Sequence, residues 1–138
     1  MLAVAVLAAS CGSGGPGSTV AATPLPSYMA TYPSGQPTAA YFLQWEQRGD
    51  AVDGTLTFVY PTAVDTPRQT EPVAGKVDGQ KISLEVGTDA PQTWKGRRVG
   101  RTIVFEVEFA NGSVQTLTFV PATLAAYRRT VAALRAQN

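Results

Sequence analysis

Three sets of side chains in this 138-residue sequence are of types and spacings that could do chemistry. The first is a lone thiol, Cys11, and such a group can pack, exchange electrons, ligate a metal or accept an acyl chain. The second is a trio of carboxylates, Glu85, Glu106 and Glu108, which could meet across neighbouring strands. Paired carboxylates cleave glycosides when one serves as acid and the other as base or nucleophile, but that work needs a cleft and unequal pKa values. Glutamates that alternate with apolar residues, as these do, read as a solvated face. The third set is basic: "WKGRRVGR" gathers Lys95, Arg97, Arg98 and Arg101 around one hairpin tip. Such a cluster can bind phosphates or anionic polymers. Its alternative role is to keep a hairpin solvated and to discourage edge-to-edge pairing. Trp94 beside it reads as a core or rim aromatic.

What the sequence lacks narrows the chemistry further. It contains no histidine, the usual general base near neutral pH and the commonest metal ligand. One cysteine allows neither an internal disulfide nor a thiolate zinc cluster. Ser-His-Asp, Cys-His and zinc-hydrolase mechanisms are therefore excluded. Asp50, Asp53, Asp78 and Asp89 fall near turns, where aspartate bonds its own backbone, and they lack EF-hand spacing. No glycine-rich phosphate loop precedes a helix. No catalytic, metal-binding or cofactor-binding residue is expected, and no cofactor. With eleven basic and ten acidic side chains the net charge is +1, so no whole-molecule field favours nucleic acid.

The surroundings of Cys11 assign the thiol. "MLAVAVLAAS" is an apolar run of ten residues, too short to span a bilayer, which takes about 20, and of the length of a signal-peptide core. Ala8, Ala9 and Ser10 lead directly into Cys11, followed by glycine and serine. The stretch Leu7 to Cys11 resembles the lipobox of bacterial lipoproteins. The resemblance implies that the Cys11 thiol is acylated, that residues 1–10 are removed as a signal peptide, and that Cys11 becomes the first residue of a chain anchored to the outside of the cell membrane. It departs from the commonest pattern, which has leucine three before the cysteine, since Leu7 is four before. No Lys or Arg precedes the apolar run, so the true start is expected upstream. The competing reading makes Cys11 an incidental thiol behind a frayed first turn.

Residues 11–39 hold five prolines among many glycines, serines and threonines and cannot bury enough apolar surface to offset their ordering entropy. They read as a tether of roughly 25–30 Å end to end. Tyr28 and Tyr32, with Ala30 between them, are a candidate short strand inside it.

Residues 40–138 carry the folded domain. From Ala40 onward the dominant period is two. Tyr41, Leu43 and Trp45 share a face, as do Val52, Leu56, Phe58 and Tyr60, and Gly49-Asp50 supplies the turn between these runs. "VAGKVDGQKISLEV" and "WKGRRVGRTIVFEV" repeat one another with one inserted residue, each reading as strand, tight turn, strand. Asn111-Gly112 turns into a last strand. The inward set is Trp45, Leu56, Phe58, Ile82, Leu84, Ile103, Phe105, Val107, Phe109, Leu117 and Phe119. The outward set includes Thr55, Thr57, Lys81, Ser83, Glu85, Thr102, Glu106, Glu108, Thr116 and Thr118. This pattern predicts an all-β fold, an antiparallel meander of seven or eight strands forming a barrel or small sandwich. At Pro121 the period changes: Leu124, Tyr127, Val131 and Leu134 follow helical spacing. They predict one C-terminal helix of about 12–15 residues that lays its stripe on the sheet or across a barrel mouth, with Thr123 an alternative N-cap to Pro121.

As a whole the chain resembles the small lipoproteins of high-GC Gram-positive bacteria, and its domain resembles lipocalins in broad layout, although no lipocalin motif is present to carry over a ligand site. The expected function is non-enzymatic: an envelope protein held at the membrane by its lipid, whose β-domain binds a small apolar ligand or a protein partner. Tyr41, Trp45, Phe58 and Phe105 are the candidate cavity lining. A hydrolase using the surface carboxylates and a structural subunit of the envelope are the competing functions.

Overall fold

The computed structural model describes residues 25–61 and 68–137. Cys11 and residues 1–10, which the sequence pattern reads as a signal segment, lie outside the described residues. Eight strands follow in chain order: β1 (Ser27–Tyr32), β2 (Ala39–Arg48), β3 (Ala51–Val59), β4 (Arg68–Asp78), β5 (Lys81–Val86), β6 (Gln92–Val99), β7 (Thr102–Glu108) and β8 (Val114–Pro121), then helix α1 (Leu124–Arg135). Each strand pairs antiparallel with the next, and β8 returns to β1 through Tyr28↔Pro121 and Met29↔Val120, closing a barrel. Closure removes both sheet edges. The seam is reinforced where the Ala122 N–H donates to the Ser27 carbonyl at 3.1 Å and the Ser27 hydroxyl to the Ala122 carbonyl at 2.6 Å.

The tight turns fall where glycine is needed. Gly49, Gly79 and Gly100 have φ between 58° and 63°, the left-handed region that side chains with a Cβ avoid. The three short hairpins they make all lie at one end of the barrel.

The folded domain begins earlier than the sequence boundary at residue 40, because β1 is drawn from the Pro- and Ser-rich stretch assigned to the tether. Its inward positions are apolar enough to be useful: Ala30 is buried, the Tyr28 ring meets Trp45 edge-on at 5.7 Å, and Tyr32 meets Phe109 at 5.1 Å.

All eleven residues of the inward set lie in the barrel core, with Phe58 and Phe109 partly buried. Tyr60 follows the last residue of β3 and is 40% exposed. Three interior positions are glycines set directly across from large side chains: Gly54 faces Trp45, Gly75 faces Leu84, and Gly96 faces Phe105. A Cβ on Gly75 would stand 1.9 Å from the Ser83 carbonyl oxygen, and one on Gly54 2.0 Å from that of Gln44. Bare backbone at these points lets the strands coil tightly and the big side chains fill the axis.

Helix α1 is twelve residues long, with the Thr123 hydroxyl accepting from the Ala126 N–H at 3.1 Å as N-cap. It lies on the outside of the barrel. Tyr127, Val131 and Leu134 cover Ala40, Phe42 and Val59, with Met29 against them. The Tyr127 and Phe42 rings stack at 5.1 Å. Leu124, expected in the apolar stripe, is 40% exposed. Thr57, expected on the wet face, is buried beside this patch and shares a 3.2 Å hydroxyl contact with Thr70.

Candidate functional site

The barrel is packed solid at the hairpin end and open at the other. Trp45, Phe105 and Phe119 are almost fully buried around the axis, and Phe105 meets Phe119 edge-on at 5.8 Å. Toward the opposite end the inward residues diverge around a pocket of about 830 Å³, within the size range of small-molecule sites. Of the four candidate cavity residues, the structure places Tyr41 and Phe58 in its wall. It seats Trp45 and Phe105 below it in the closed core.

Two neighbouring strands build an aromatic wall. Tyr41 on β2 stacks on Phe58 of β3 at 5.8 Å, and Phe58 stacks on Tyr60 at 6.1 Å. Leu56, Val86 and Val107 supply apolar floor, and Trp94 stands across from the wall. Gln92 fixes the Trp94 indole, accepting from its Nε1–H at 3.2 Å while donating from Nε2 to the Glu108 carbonyl. Burial, and secondarily the neighbouring Tyr32, raises the pKa of the Tyr41 phenol, so it stays a neutral hydroxyl near neutral pH.

One charged side chain on the strands shares the inward phase at this mouth. Glu71 alternates with Val73, Gly75 and Val77 along β4, pairs with inward Leu56, and lines the pocket half-buried. It has no ion-pair partner among the described residues. Sequence reading missed it because Pro72 and Gly75 obscure the alternation of β4. Its phase relative to Val73 and Val77 was the available signal. Asp89 and the backbone around Glu108 join the lining, and no lysine or arginine does.

The basic cluster divides between faces. Lys95 and Arg97 point outward from β6 and line an outer groove of about 470 Å³ with Lys76, Lys81, Asp78 and Glu106. Lys81 and Arg97 are directly opposed in register, a like-charge pair that destabilises a sheet by a few tenths of a kcal/mol. Arg98 takes the inward phase of Trp94 and Gly96 and is half-buried at the hairpin end, while Arg101 is exposed in the β6–β7 turn.

The carboxylate trio is spread over the exterior. All three are exposed. Glu85 accepts from the Thr93 hydroxyl at 2.8 Å, Glu106 lies across from Lys95 in the outer groove, and Glu108 belongs to the barrel rim. This arrangement does not bring two of them into one cleft. Among the described residues, no group of three or more acidic, cysteine or histidine side chains is spaced to hold a metal ion. What the geometry can do is enclose an apolar molecule of modest size. No protein-family model matches the chain, and no curated protein or solved structure is significantly similar to it.

Proposed function

We propose that the protein is a non-enzymatic envelope lipoprotein, anchored through acylated Cys11, whose barrel binds a small apolar ligand. The carrying observation is the pocket of about 830 Å³, walled by Tyr41, Phe58, Tyr60 and Trp94 and open at one end of an otherwise packed barrel. A protein partner as the primary occupant is less well supported, since a concave aromatic cup buries a small molecule better than a flat surface.

Anchoring is supported by where the chain enters the fold. Ser27 joins the barrel on the side that ends in the short hairpins, paired with Gln44 of β2, and the tips of those hairpins carry Arg48, Lys81 and Arg101. Acyl chains contribute about 0.8 kcal/mol per buried CH₂, and basic residues near anionic headgroups add about 1 kcal/mol each. Fifteen residues, 12–26, connect Cys11 to Ser27, fewer than in the tether read from the sequence. In this arrangement the hairpin end faces the membrane and the pocket faces away.

Intact-mass spectrometry of the protein from native membranes tests both halves. The expected species begins at Cys11, carries acyl chains and releases a small apolar molecule on denaturation. A mass that retains residues 1–10 without lipid overturns the anchor. Failure of Val86→Trp, which fills the pocket, to reduce uptake of a hydrophobic dye overturns the ligand site.

A further inference from the structure

We infer that the ligand of the barrel mouth carries a positive charge on its apolar body, as an amine or quaternary ammonium does; this rests on the reading of the mouth as a small-molecule pocket. Glu71 is the inward-facing carboxylate of the pocket, half-buried and without an ion-pair partner among the described residues. A carboxylate held partly out of water without a cation is costly, and a bound cation offsets that cost. The rings around it act in the same sense: the faces of Tyr41, Phe58, Tyr60 and Trp94 are electron-rich and attract a cation within about 6 Å.

The surroundings select against the opposite charge. The pocket lining contains no lysine or arginine, so the carboxylate of a fatty acid or a phosphate would have no cationic partner and would face Glu71. The described connections at this end agree in sign, since residues 33–38 and 109–113 are uncharged and 87–91 add Asp89, while Arg68 at the start of β4 takes the outward phase beside α1. Arg98, the other charged residue in the inward phase of the described strands, sits at the far end, beyond the packed core.

Three fluorescent probes with one body test this: diphenylhexatriene, its trimethylammonium derivative and its propionic acid derivative. They are titrated into the full chain carrying Cys11→Ser at low ionic strength. The expected order is cationic, neutral, anionic, with the cationic probe binding about tenfold more tightly than the neutral one. Glu71→Gln should bring the cationic and neutral probes within twofold of each other, with circular dichroism reporting an intact barrel. Equal binding of all three probes by the unaltered pocket, or a cationic preference that survives Glu71→Gln, overturns the inference and leaves the pocket reading standing. If none of the three binds, the pocket reading falls and the inference with it. The order of the three probes on the Cys11→Ser chain is decisive by itself should Glu71→Gln fail to fold.

Discussion

Tyr127 carries a hydroxyl that is buried without a hydrogen-bond partner among the described residues, although its ring stacks well on Phe42. An unsatisfied buried hydroxyl costs about 1–3 kcal/mol, while the ring supplies the packing. Tyr127→Phe is therefore expected to raise stability by about 1 kcal/mol in urea unfolding, and a loss of stability would reveal a partner for the hydroxyl. Tyr127 and Tyr41 also set the alkaline limit. Burial is the leading cause that raises both phenol pKa values, with Arg68 and Arg135 opposing it at Tyr127. As pH climbs past about 10 the unfolded chain ionises first. Stability is thus full below that pH and falls above it until the folded phenols titrate. Tyr41→Phe should flatten the decline between pH 9 and 11 relative to the unaltered protein; an unchanged slope would remove Tyr41 as its source.

At the scale of the element, the glycines separate into two kinds that sequence alone does not distinguish. Gly79 turns a hairpin at φ 58° with open space around its Cα, whereas Gly75 lies against the Ser83 carbonyl. Gly79→Ala meets only the left-handed backbone cost of about 1–2 kcal/mol. Gly75→Ala forces backbone apart and should cost about 3 kcal/mol, so denaturant midpoints should rank Gly75→Ala well below Gly79→Ala. The hairpins themselves were legible because period-two alternation and turn glycines agree at Gly49, Gly79, Gly100 and Asn111-Gly112. Strand β1 was legible only as a candidate, because two tyrosines and an alanine among prolines signal weakly until β2 and β8 pair with them. The seat of α1 was legible only as a choice between the sheet and a barrel mouth. Ala40, Phe42 and Val59 occupy the phase that normally faces water, and only the covering helix explains why "AAYFL" is apolar on both faces. In the candidate site, Tyr41 and Phe58 were readable from phase. The division between closed core and open mouth was not, because it depends on how strands coil around interior glycines.

At the scale of the molecule the barrel has two unlike ends. The hairpin end carries Arg48, Lys76, Lys81, Arg97, Arg98 and Arg101 against Glu46, Asp50, Asp53 and Asp78, with Arg48 paired to Glu46 at 3.1 Å, and it receives the chain that leads back to Cys11. The pocket lining carries Glu71 and Asp89 and no basic residue, and Arg68 at the same end stands on the outer face beside α1. A net charge of +1 conceals this separation, which is why composition excluded a long-range field without excluding a local one. If acylated Cys11 holds the hairpin end near anionic headgroups, as proposed, basic residues there should bind such a surface even without the lipid. Each contributes about 1 kcal/mol close to the membrane, falling off within a Debye length of roughly 8–10 Å. The Cys11→Ser chain should therefore associate weakly with phosphatidylglycerol-containing vesicles at low salt and dissociate as salt rises. Replacing Lys81, Arg97 and Arg101 together by glutamate should reduce that association at least tenfold, whereas Glu71→Gln should leave it unchanged. Because the two ends are separated by the packed layer of Trp45, Phe105 and Phe119, the triple replacement should not alter probe affinity in the mouth. Vesicle binding that is insensitive to both salt and the triple replacement would mean that the hairpin end does not face the membrane.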